Sequence, residues 1–83
     1  MIDNRLLVMD DDPDVAAFFG QVGADLGFDV RTLHDPAEFA DTVREFAPSV
    51  IVLDLQMPGR DGIELLRELA ARQSAANIVI GSG

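Results

Sequence analysis

Short runs of consecutive apolar residues recur along the chain, and each runs into acidic or turn-forming residues. Leu6-Leu7-Val8-Met9 contains no polar position, which predicts a strand covered on both faces rather than one half exposed to water. It ends in Asp10-Asp11-Asp12. Val50-Ile51-Val52-Leu53 repeats the pattern and ends in Asp54, and Asn77 to Ile80 repeats it again before Gly81-Ser82-Gly83. A briefer strand is predicted from Phe28 to Thr32, just after a stop at Gly27.

Between these runs the apolar spacing becomes helical. Asp12-Pro13 offers an N-cap acceptor followed by proline at the first helical position, and Val15, Phe18, Phe19, Val22 and Leu26 recur at helical intervals up to Gly27. Gly20 and Gly23 inside this helix weaken it by about 1 kcal/mol each. Asp35-Pro36-Ala37-Glu38 is a capping-box pattern that starts a second helix, reaching about Phe46, with an apolar stripe of Phe39, Ala40, Val43, Phe46 and Ala47; Pro48 closes it. The segment from Met57 to Gly62 is dense in turn formers, and Ile63, Leu65, Leu66, Leu69 and Ala70 mark a third amphipathic helix.

Strands alternating with helices, β-α-β-α-β-α-β, predict an α/β fold with right-handed crossovers and a parallel sheet covered on both faces. Ligands of such open sheets sit outside the carboxyl ends of the strands, where the strand order reverses. Asp10 and Asp11 stand at the end of the first strand and Asp54 at the end of the third. If those strands are neighbours across the reversal, three carboxylates meet in one pocket.

Composition narrows the function classes. The 83 residues fit a single domain, and 48% apolar with 25% charged residues, without an apolar run of membrane-spanning length, predicts a soluble globular chain. The absence of cysteine excludes disulfides and thiolate metal sites. Nothing at the N-terminus resembles a signal peptide, so a cytoplasmic location is expected. Fifteen acidic residues against six basic ones give a net charge of -9, which repels nucleic acids and anionic membranes, so neither is an expected partner of this domain. All six basic residues are arginines; the chain has no lysine.

Three converging carboxylates need a hard cation or a shared proton. Magnesium suits them best, since it takes oxygen ligands and leaves coordination positions for phosphate oxygens. An aspartate at a strand end, Asp54, can then attack phosphorus and form an acyl phosphate. Asp12, placed where a helix cap belongs, is read as structural.

Together, Leu6 to Pro13 (LLVMDDDP), Val50 to Gly62 (VIVLDLQMPGRDG) and the fourth strand ending in Gly81-Ser82-Gly83 resemble the receiver domain of two-component response regulators. The resemblance implies a flavodoxin-like (CheY-like) doubly wound parallel sheet with order 2-1-3-4 and residues 1-83 as the N-terminal two-thirds of one receiver domain. It implies Asp54 as the phospho-acceptor, Asp11 as a direct Mg²⁺ ligand, Asp10 as a ligand mostly through water, and the backbone carbonyl of Gln56 as a further ligand. The Gln56 side chain falls where the family tunes hydrolysis of the acyl phosphate. Ser82 falls where a hydroxyl bonds the phosphoryl oxygen, and Met57-Pro58 and Asp61-Gly62 match the loop leading into the third helix. His34 reads as a surface loop residue and not as a phosphorelay histidine.

The implied partners are a sensor histidine kinase as phosphodonor and an output domain outside this chain; the domain itself is not expected to be an enzyme. Family members continue through a fourth helix, a fifth strand and a fifth helix, with a lysine at the end of the fifth strand that this chain does not contain. An apolar fourth strand left as an edge is expected to promote self-association. Two other readings compete. A phosphorylation-independent pseudo-receiver is opposed by the acidic cluster, and a haloacid dehalogenase-type phosphatase needs an acid where Gln56 stands.

Overall fold

The computed structural model describes residues 4–54, 62–71 and 77–81. In chain order the elements are β1 (Arg5–Met9), α1 (Pro13–Asp25), β2 (Asp29–Leu33), a 3₁₀ turn (Pro36–Glu38), α2 (Phe39–Phe46), β3 (Val50–Asp54), α3 (Gly62–Ala71) and β4 (Asn77–Gly81). The strands form one parallel sheet of order β2-β1-β3-β4. The order reverses between β1 and β3, which are adjacent although α1, β2 and α2 separate them in the chain. This is the flavodoxin-like, doubly wound arrangement. Among the described residues, no helix is long and apolar enough to cross a membrane.

Continuous apolar strands are the response to a sheet covered on both sides. Leu7, Val8, Met9, Ile51 and Leu53 are fully buried. Alternate residues serve opposite faces. Leu7, Met9, Ile51 and Leu53 pack with Leu33, Phe39, Phe46 and Leu69 on the side of α2 and α3, whereas Leu6, Val8 and Val52 pack with Ala16 of α1.

The buried face of α1 differs from the one its apolar pattern predicts. Ala16, Gly20 and Gly23 are buried and Phe19 is half-buried, while Val15, Phe18, Val22 and Leu26 are exposed, Phe18 by 64%. The glycines explain the inversion: a Cβ on Gly23 would come within 2.3 Å of Leu6 Cδ2. Close approach of the helix axis to the strands takes precedence over burial of the largest side chains.

The second helix ends at Phe46 as expected but departs from expectation at its start and in its buried stripe. Asp35 Oδ1 accepts from Ala37 N at 3.0 Å, but this cap opens the 3₁₀ turn, and α2 proper begins at Phe39. Its buried stripe is Phe39, Thr42 and Phe46, with Thr42 in place of the predicted Ala40 and Val43, which are only partly buried. Ala47 lies outside the helix as its left-handed C-cap, at φ 49°.

Candidate functional site

The site is a product of register. β1 and β3 pair with Met9 opposite Leu53, so the residues that follow, Asp10 and Asp54, leave the two strands side by side at their carboxyl ends. One carboxylate oxygen from each of Asp10, Asp11 and Asp54 lies within 4.8 Å of the other two. Asp10 and Asp54 are buried, at 8% and 5% exposure, and Asp11 is exposed. The predicted convergence of the three residues is therefore present in the fold.

Local hydrogen bonds fix the first loop. Asp10 Oδ1 accepts from the Asp12 amide at 2.9 Å, and Asp12 Oδ1 accepts from the Asp14 amide at 2.9 Å. With Pro13 at the first position of α1, Asp12 is the helix cap its position suggested. Asp10 N donates to Leu33 O at 3.1 Å, which ties the loop to the end of β2.

Burial pushes the Asp10 carboxyl above the ordinary value of 3.8. The Asp12 amide opposes that rise, while the charge and hydrogen bond of Asp54 and the charge of Asp11 add to it. Like charges this close repel, and a proton or a cation would relieve them. The donor set is made only of oxygen, two members are shielded from water, and one faces solvent; this fits a hard divalent ion with an open side for further ligands.

Of the other residues singled out in the sequence, His34 is exposed, as expected of a loop residue, yet its Nδ1 stands 3.4 Å from the carbonyl oxygen of Asp10. No sequence signal pointed to that contact, because it depends on how the end of β2 meets the end of β1. Gln56, Met57, Pro58, Asp61 and Ser82 lie outside the described residues.

An open α/β sheet places its ligands outside the carboxyl ends of the strands where their order reverses, and the acidic cluster lies at that point. The response regulator receiver domain model matches residues 6–83, and the chain belongs to that family. A DNA-binding response regulator, MtrA of Mycolicibacterium smegmatis, is 40% identical over 67 residues, which are 81% of this chain and 29% of the relative. A protein-glutamate methylesterase/protein-glutamine glutaminase of Anaeromyxobacter dehalogenans is 37% identical over 79 residues, 95% of this chain and 22% of that protein. The chain thus spans less than a third of the curated relatives it matches. Among solved structures, a response regulator from Burkholderia pseudomallei with a phosphorylated aspartic acid, a calcium ion and citrate superposes with a TM-score of 0.89 at 26% identity, covering 98% of this chain and 48% of that one.

Proposed function

We propose that this domain accepts a phosphoryl group on Asp54 from a sensor histidine kinase and thereby controls an output domain elsewhere in the protein. The observation that carries this reading is the meeting of Asp10, Asp11 and Asp54 within 4.8 Å at the point where the strand order reverses. A similar structure that holds a phosphorylated aspartic acid and a calcium ion supports it.

In this reading a carboxylate oxygen of Asp54 attacks phosphorus, the bond from phosphorus to the donor's imidazole nitrogen breaks, and that nitrogen keeps the electron pair. Mg²⁺, when bound, neutralises charge on the phosphoryl oxygens. Asp11 would ligate it directly, Asp10 mostly through water, and Gln56 through its backbone carbonyl. The burial of Asp54 would limit access of water to the acyl phosphate, and Ser82 would donate a hydrogen bond to the phosphoryl group. The domain is a cytoplasmic switch rather than an enzyme. One relative is a DNA-binding response regulator and another a protein-glutamate methylesterase/protein-glutamine glutaminase, so the output is not assigned by the receiver.

Incubation with acetyl phosphate and Mg²⁺, followed by intact-mass and peptide mass spectrometry, tests the reading. One phosphoryl adduct on the Asp54 peptide is expected, absent from Asp54→Asn and after chelation of the metal. An adduct that persists in Asp54→Asn, or none in the wild-type protein, would overturn it.

A further inference from the structure

The ladder between β1 and β2 ends with Asp10 N donating to Leu33 O. In a parallel ladder the next rung would run from the Asp35 amide to the Asp10 carbonyl. Asp35 turns away into the cap of the 3₁₀ turn, with φ -108° and its carboxylate on the Ala37 amide. At that rung stands the imidazole of His34, Nδ1 3.4 Å from the Asp10 carbonyl oxygen.

Asp10 is then held at three points. Its amide is bound to Leu33, its carboxylate accepts from Asp12, and its carbonyl faces His34. The third anchor sets the plane of the peptide joining Asp10 to Asp11, and so the direction in which the exposed Asp11 carboxylate leaves the backbone. Two of the three carboxylates of the cluster hang from this one peptide.

We infer that His34 is a positioning residue for the cation site: a hydrogen on Nδ1 donates to the Asp10 carbonyl and orients the Asp10–Asp11 peptide for metal binding. The inference rests on reading the acidic cluster as a cation site. It completes, with a side chain, a rung that the backbone leaves unmade, and it gives the only histidine of the chain a task beyond lying at the surface. The ring is exposed, so water competes for the carbonyl and the effect belongs at the low end for a group that orients a metal ligand.

The test is an NMR titration of the protein with Mg²⁺, comparing wild type, His34→Ala and His34→Asn. The side-chain amide nitrogen of asparagine occupies the place of Nδ1, so it restores the donor without the ring. His34→Ala should bind Mg²⁺ roughly tenfold more weakly, and His34→Asn should return to within about twofold of wild type. In the metal-free protein, the carbonyl carbon shift of Asp10 should move in the alanine variant and recover in the asparagine one. Unchanged affinity in His34→Ala, with wild type binding normally, overturns the positioning role and leaves the cation reading intact. Failure of asparagine to rescue overturns it too, since the ring and not its donor would then matter. If wild type itself shows no saturable Mg²⁺ binding, the cation reading falls and this inference falls with it.

Discussion

At the amino ends of β1 and β3 the backbone is stitched together by a hydroxyl, backbone amides and a guanidinium. Ser49 Oγ accepts from Arg5 N and donates to Arg5 O, both at 3.1 Å; Ser49 N donates to Arg5 O at 2.8 Å; and Arg5 Nε reaches Ala47 O at 3.1 Å. At the carboxyl ends of the same two strands stand Asp10, Asp11 and Asp54, where burial first and then the neighbouring carboxylates lift the Asp10 carboxyl above its usual range. One end joins its strands through hydrogen bonds between them, and the other gathers like charges that a cation or a proton would relieve. The contrast separates an end where hydrogen bonds hold the two strands together from an end whose charges a ligand can tune.

The contrast breaks most visibly if the two ends prove to be coupled. Ser49→Ala removes a hydroxyl that both donates and accepts, and should cost about 1 to 2 kcal/mol in denaturant unfolding, while Mg²⁺ affinity stays within about twofold of wild type; a parallel loss of affinity would show that the ends are not independent.

Asp10→Asn should do the reverse. The folded state binds the Asp10 proton more tightly than the unfolded chain does, so the stability from that proton is fully present below pH 3.8 and is lost as pH rises through the raised value. The asparagine variant has no such loss. Without metal it should be more stable than wild type at neutral pH, by on the order of 1 kcal/mol for one relieved charge contact, and the advantage should vanish in acid. Saturating Mg²⁺ should reverse the order, because the metal stabilises the wild-type site preferentially. Thermal melts across pH, with and without Mg²⁺, give both comparisons; a variant less stable than wild type in the metal-free protein at neutral pH would contradict the account.

A smaller effect sharpens the picture at the hydrogen-bonded end. Ala47 holds φ 49° next to the Arg5 contact, a left-handed conformation that glycine adopts without strain. Ala47→Gly should be neutral to stabilising by about 0.5 kcal/mol. A clear destabilisation would mean that strain at this cap is not relieved by removing its Cβ.

The acidic cluster was legible in the sequence because each aspartate follows an uninterrupted apolar strand, and the position at which such a strand ends is where a parallel sheet puts its ligands. That β1 and β3 are neighbours was implied only by the resemblance; nothing in the apolar pattern distinguishes that order from others. The face of α1 was misread for a physical reason. Periodicity weights large side chains, and Val15, Phe18, Val22 and Leu26 dominate the pattern, but the helix meets the sheet through Gly20 and Gly23 because only they admit so close a contact with Leu6, Val30 and Thr32. The His34 contact was invisible because it joins a loop residue to a backbone carbonyl across 24 residues, at a rung created by the departure of Asp35 from the ladder.

The central claim is that positions 10, 11 and 54 form one divalent-cation pocket in a chain whose fifteen acidic residues offer many weaker places for a cation to rest. Titration with Mn²⁺, read as paramagnetic broadening of backbone amide signals, tests it most directly. The account predicts that amides from Asp10 to Asp12 and at Asp54 broaden first and together, and that Mg²⁺ restores them. Broadening spread over Asp14, Asp25, Asp29 and Asp41 at the same Mn²⁺ concentrations, with no preference for the carboxyl ends of β1 and β3, would contradict it.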